Sequence, residues 1–224
     1  MSPVKIAAVA DVHSPRFLDD FKNALSNCTP PDLLLFAGDM ISHGKAEEYI
    51  NVLDVVDSEL GSGFPIIACF GNEDPVEISD EIQFNIKDRL VFLDEELITL
   101  SLTDYQITVV GISSVSSELY EAQSKDIAEI RANFEDRSLR VSKLLQDASK
   151  ASDLVVLLMH FSPLLENISA EFSWWISKAV EKAPPNLIVH GHVHDSIRTK
   201  IKIGSTIIRN VALPATHFVT ELLF

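Results

Sequence analysis

Val4-Lys5-Ile6-Ala7-Ala8-Val9-Ala10 runs straight into Asp11-Val12-His13, and that junction decides how the chain is read. The run is short and nearly all apolar rather than alternating, so it predicts a strand buried on both faces, as in a sheet covered by helices. Four further runs repeat the pattern. Leu33–Ala37 leads into Gly38-Asp39, and Pro65–Phe70 into Gly71-Asn72-Glu73-Asp74. Leu154–Met159 leads into His160, and Leu187–Val189 into His190-Gly191-His192-Val193-His194. Each strand delivers a carboxylate, amide or imidazole at its C-terminal end. In open α/β sheets that edge is where ligands bind.

The intervening sequence completes an α/β chain. Helices are predicted at about Arg16–Asn27 and Ala46–Leu60, between the first three strands, which gives βαβ units and a parallel sheet. Leu90–Phe92, Ile98–Leu102 and Gln106–Ile112 read as shorter strands. Ser117–Ser152 reads as one or two helices, and Ala170–Lys182 as another that stops before Pro184-Pro185. Ser196–Ile203, Thr206–Val211 and Phe218–Phe224 read as strands, with a hairpin turn at Gly204-Ser205. The expectation is one α/β domain over residues 1–224, without an internal boundary.

Composition narrows the function. The chain has 224 residues, 46% of them hydrophobic and 23% charged, as in an ordinary globular protein. Its formal charge of −15 speaks against a protein that grips long nucleic acid by its phosphates. It does not exclude an anionic substrate, because bound divalent cations reverse the local sign. The apolar stretches are too short to span a bilayer, and the first is interrupted by Lys5 and ends at Asp11, which is unlike a signal peptide. A cytoplasmic location is the expectation. Cys28 and Cys69 are expected to be free thiols. The acidic stretch from Glu73 to Asp104 is expected to form a solvated face.

Asp, His and Asn side chains at the strand ends form a chemical set. They offer oxygen and imidazole nitrogen, which suit Mn, Fe, Zn or Ni more than Ca. Asp11 and His13 are two residues apart, as are His192 and His194, so each pair can wrap one ion. Gly38, Gly71 and Gly191 are the residues a tight turn beside a metal would use.

The succession Asp11-x-His13, Gly38-Asp39, Gly71-Asn72, lone His160 and Gly191-His192-x-His194 resembles the calcineurin-like metallophosphoesterase family. The resemblance runs from near the N-terminus to Asp195. It implies a four-layer sandwich of two mixed β-sheets flanked by helices, with the middle and C-terminal strands building the second sheet. It implies two divalent ions, manganese first, with iron, zinc or nickel as alternatives. Asp11, His13 and His194 would hold one ion, Asn72, His160 and His192 the other, and Asp39 would bridge them. A water activated between the ions would attack a small phosphodiester or phosphomonoester. Asp39, Asn72, Glu73 and His192 are the candidate catalytic residues.

The chain departs from the family at Glu73, where a histidine is common. Three readings stand: Glu73 is a general acid, His43 or His217 takes that role, or the leaving group needs little protonation. His43 also stands where the family's protein phosphatases carry an arginine, which weakens a phosphoprotein substrate. His190 is either a residue that orients a ligand or a packed strand end. A nuclease and a non-catalytic scaffold of the same fold are the competing functions. Retention of all seven candidate ligands favours catalysis.

Overall fold

Period-two alternation along β1 (Lys5–Val9) sorts its side chains into two separate cores. Val4, Ile6, Ala8 and Ala10 face one cluster, and Ala7 and Val9 the other. The computed structural model describes residues 3–42, 45–74, 79–113, 127–164 and 170–224. The same sorting recurs in β2 (Leu33–Ala37), where Leu33, Leu35 and Ala37 oppose Leu34 and Phe36. Every residue of β2 is buried, so the run shows no polar face. Truncating Leu35 to Ala there would cost ~2–5 kcal/mol, from lost transfer energy and the cavity left behind.

β1, β2, β3 (Ile66–Cys69) and β4 (Val91–Phe92) form a parallel sheet, and β11 (Thr220–Leu223) pairs antiparallel with β1. Helices α1 (Leu18–Leu25), α2 (Glu48–Leu60) and α3 (Ser79–Ile86) cover its outer face through Phe21, Tyr49, Val52, Val56 and Ile82. The second sheet has the order β5-β6-β7-β8-β10-β9. Its strands are β5 (Glu96–Leu102), β6 (Tyr105–Ile112), β7 (Leu154–Met159), β8 (Leu187–His190), β9 (Lys200–Ile203) and β10 (Thr206–Asn210). The inner four are parallel and both edge strands antiparallel. Helices α4 (Ile127–Ala151) and α5 (Ala170–Glu181) cover this sheet with Phe134, Val141, Leu145, Trp175 and Ile176. A third cluster lies between the sheets, where Leu35 and Ile67 meet Val156, Leu158 and Val189. Three apolar layers between four structural layers make the α/β sandwich.

Three expectations need correction. Leu90–Phe92 and Phe218–Phe224 do not join the second sheet. β4 pairs with β3, and β11 with β1, where Val4 and Phe224 exchange backbone hydrogen bonds of 3.0 and 3.1 Å. α3, which carries the chain into β4, is hidden in the sequence by acidic residues around its buried Ile82 and Ile86. Ser196–Ile203 is a strand only over Lys200–Ile203; the Ser196 hydroxyl donates to the Arg198 carbonyl, a local turn that competes with the ladder. The hairpin at Gly204-Ser205 is present, with Ile203 opposite Thr206. His43 and the segment 117–126 of the predicted helix lie outside the described residues. A short helix α6 (Leu213–Thr216), absent from the sequence reading, ends on His217. Among the described residues, no helix is long and apolar enough to cross a membrane.

Candidate metal centre

The two sheets meet at the C-terminal ends of their parallel strands, and hydrogen bonds among the strand-end segments fix the meeting. His160, just past β7, uses Nδ1 to donate to the carbonyl of Ala37 at the end of β2, 2.9 Å away. Gly191, just past β8, donates its N–H to the His160 carbonyl at 3.0 Å. The His192 N–H donates to Asp11 Oδ2 at 2.9 Å, so the loop after β8 is clasped to the loop after β1. Parallel strands carry all these residues to one edge, which is why five distant segments converge.

The loops turn sharply. Asp11 (φ 60°), His13 (φ 44°), Asp39 (φ 51°) and His192 (φ 68°) all sit in the left-handed region. Asp and His tolerate it better than most residues, yet each costs of order 1–3 kcal/mol, and such strain clusters at functional sites. Two glycines are fixed by space. A Cβ on Gly71 would run into Asp39 Oδ1 and the Asp39 backbone, and one on Gly191 would run into Asp11 Oδ2.

The seven expected ligands form one cluster. His194 Nε2 donates to Asp11 Oδ1 at 2.9 Å, and His13 Nε2 lies 3.7 Å from the same oxygen. On the other side, His160 Nε2 is 2.9 Å from Asn72 Oδ1 and 3.2 Å from Asp39 Oδ2. The His192 ring stands edge-on to that of His160, centroids 5.2 Å apart, and to that of Phe161 at 4.5 Å. Asp39 lies between the two sides, with Oδ2 also 4.0 Å from His13 Nε2. Asp11, His13 and His194 offer ligand atoms within 4.8 Å of one another, as do Asp11, Asp39 and His160. His13 Nε2 is buried and has no hydrogen-bond partner, an arrangement a bound cation would complete.

The model of the calcineurin-like phosphoesterase family matches residues 4–196. The chain belongs to this family. No curated protein matches it in sequence. Among solved structures it is similar to TT1561 of Thermus thermophilus, at 10% identity and TM-score 0.62 over 98% of both chains. It is also similar to GAP50, the anchor in the inner membrane complex of Plasmodium, at 10% identity and TM-score 0.57 over 96% of this chain and 73% of that one. A third similarity is to the sulfate thiohydrolase SoxB of Thermus thermophilus, at 18% identity and TM-score 0.53 over 84% of this chain and 35% of that one. At these identities the likeness is one of fold.

In this phosphoesterase, the cluster without cations balances its charge with protons. Burial alone would raise Asp11, but the nearby His13 imidazole, the hydrogen bond from His194 and the charge of His160 hold it well below the usual carboxylate range. Asp39 is likewise lowered against its burial, chiefly by the charge and hydrogen bond of His160. Burial opposes a proton on His160, yet Asp39 and Asp11 push its pKa up to about 10. His13 is raised in the same way by Asp11, Asp39 and Glu73. His192, depressed by burial and by the neighbouring His160 charge to about 4, is neutral and ready to donate a lone pair. His190 is also lowered to about 4 by burial; it is fully enclosed, and its Nδ1 donates to the Gly191 carbonyl. It packs the strand end.

Asp74 is the residue that sequence reasoning missed. Counted there in a solvated acidic face, it is only 2% exposed. Its Oδ2 accepts the N–H groups of Asp39 and Gly71, both at 2.8 Å, so it clasps the loop after β2 to the loop after β3. Burial and the Asp39 charge push its pKa up to about 7. The signal lay in its position, two residues past Asn72 in a tight turn. Glu73 is also tied into the cluster: its N–H donates to Asp39 Oδ1 at 2.7 Å, and its Oε2 sits 3.2 Å from His13 Nδ1. His217 is exposed at the C-terminal cap of α6, beside Phe17 and Phe218.

Proposed function

We propose that the chain is a metal-dependent phosphoesterase acting on a small phosphodiester or phosphomonoester, with two divalent cations as cofactor. The observation that carries this reading is the placement of Asp39 Oδ2, which faces His160 Nε2 at 3.2 Å and the orphaned His13 Nε2 at 4.0 Å. A single carboxylate oxygen between two imidazoles suits a ligand shared by two cations.

Asp11, His13 and His194 would hold one cation, and Asn72, His160 and His192 the other. Asp39 is favoured over Asp11 as the shared ligand because both Asp11 oxygens have other partners, the His192 N–H and His194 Nε2. The second oxygen of Asp39 is occupied by the Glu73 N–H, which leaves Oδ2 to face inward. When bound, the two cations supply Lewis-acid chemistry: they lower the pKa of a nucleophilic water, orient the phosphoryl group and offset its charge. The chain's own residues give up protons to admit them, from His160 and His13, and keep the neutral imidazole of His192 in place. His194, with its side chain 42% exposed, marks the solvent side through which a small substrate enters.

The diester is the preferred substrate. It carries one negative charge where the monoester carries up to two, and so meets less repulsion from a chain of net charge −15. The Glu73 carboxylate is engaged with His13, so the reading favours a substrate whose leaving group departs as a stable anion and needs little protonation. Chelated protein incubated with a nitrophenyl phosphodiester and the matching monoester, with and without manganese, tests this. Turnover appears only with metal and is faster on the diester. No turnover of either ester by protein shown to hold two ions would instead support the scaffold function.

A further inference from the structure

An imidazole presents one nitrogen to a cation, and the hydrogen bond at its other nitrogen decides which one. His160 obeys this visibly: the Ala37 carbonyl takes Nδ1–H and turns Nε2 inward. His13 has no such backbone partner. Its Nδ1 lies 3.2 Å from Glu73 Oε2, while its Nε2 is buried and unpartnered 3.7 Å from Asp11 Oδ1. Glu73 therefore lies at the opposite nitrogen from the one that faces the cluster. Its backbone acts on a second ligand, donating N–H to Asp39 Oδ1 at 2.7 Å.

We propose that Glu73 is a positioning residue, which accepts the Nδ1 proton of His13 through its side chain and clamps Asp39 through its backbone, so that His13 Nε2 and Asp39 Oδ2 converge on one cation. This rests on the dimetal reading of the site. The Glu73 side chain is 38% exposed, so its pairing with His13 contributes little to folding. Its effect falls on ligand geometry, where partners of this type are worth about 10–100-fold in metal affinity. A general acid would need its carboxyl turned toward the leaving group, whereas this carboxylate is already engaged with a ligand.

The test compares wild type, Glu73→Ala and Glu73→Gln by zinc titration calorimetry, with thermal unfolding as a check on folding. Wild type binds two ions. Glu73→Ala weakens one of them about 10–100-fold and leaves the other within about threefold. Glu73→Gln, whose amide oxygen still accepts from Nδ1–H, keeps most of the lost affinity. In zinc-loaded protein, the Nδ1 proton of His13 gives a slowly exchanging imidazole resonance in wild type and Glu73→Gln that is lost to exchange in Glu73→Ala. Two ions bound with unchanged affinity by Glu73→Ala, or an equal loss in both variants, overturns the positioning role. Failure of wild type to bind two ions overturns the dimetal reading itself.

Discussion

His160 Nε2 and Asp39 Oδ2 lie 3.2 Å apart with both side chains buried, and each holds the other in its charged state. The pair predicts how the chelated protein responds to pH. His160 is raised from 6.5 to about 10, so the stability its proton confers is complete below pH 6.5 and is lost as pH climbs toward 10. Asp39 and Asp11 are lowered, so their contribution is present above the ordinary 3.8 and is lost as pH falls below it. Asp74, raised to about 7, loses its contribution between 3.8 and 7, outside the alkaline window. The melting temperature of chelated protein therefore falls by several degrees between about pH 7 and pH 10. Manganese removes that fall by taking the place of the proton. A flat alkaline profile without metal would show that His160 and Asp39 are not a charged pair.

Asp39→Asn keeps an oxygen to accept the Glu73 N–H and nearly the same volume, so it removes charge without removing shape. With Asp39 shared between both sides of the cluster, the variant loses affinity for both ions together. Its turnover of the diester falls by roughly 10²- to 10⁴-fold, the rate equivalent of several kcal/mol of charge stabilisation. Metal analysis after dialysis, with steady-state rates, checks this. Both ions retained at full rate would remove Asp39 from the bridging role.

Gly71→Ala tests how closely the loop after β3 approaches the site. The new Cβ would overlap Asp39 Oδ1 and the Asp39 amide nitrogen, and backbone cannot swing aside as a flexible side chain can. The expected outcome is a loss of metal affinity together with a destabilisation of ~1–3 kcal/mol, the usual range for overpacking. Gly204→Ala serves as the control, because nothing lies within 4 Å of its Cβ, although its φ of 59° carries a small strain of its own. Equal metal affinities in the two variants would mean that the Asp39 loop yields freely.

How much of this was legible in the sequence follows from what each signal depends on. The five buried strands are nearly all-apolar runs, and their polar ends fall at the edge where parallel strands deliver side chains, so the cluster could be assembled without coordinates. Sheet membership of β4 and β11 was not legible. Val91–Phe92 is too short to carry a pattern, and its partner is chosen by α3, whose apolar stripe of Ile82 and Ile86 is masked by Asp80 and Glu81. Glu73 and Asp74 illustrate a second limit. Two adjacent acids in an acidic stretch look solvated, and only the tight turn after Gly71 reveals that one carboxylate points at His13 and the other inward at two backbone N–H groups.

Asp74 carries the last prediction. Its Oδ2 is the acceptor for the N–H groups of Asp39 and Gly71 in a place without bulk solvent. Asp74→Ala orphans both donors, at ~1–3 kcal/mol each. At about 2–4 °C per kcal/mol for a chain of this size, the melting temperature falls by roughly 5–20 °C. Metal affinity falls as well, because the loops bearing Asp39 and Asn72 are no longer clasped. Asp74→Asn retains one carbonyl oxygen of the same shape and carries no buried charge. It recovers most of the melting temperature, and does so best above pH 7, where the wild-type carboxylate is ionised against its burial and against Asp39. Thermal unfolding of the three proteins at about pH 6 and pH 8, with manganese titration of each, separates the clasp from simple packing. Packing alone predicts that Ala and Asn variants differ little in metal affinity and show no dependence on pH.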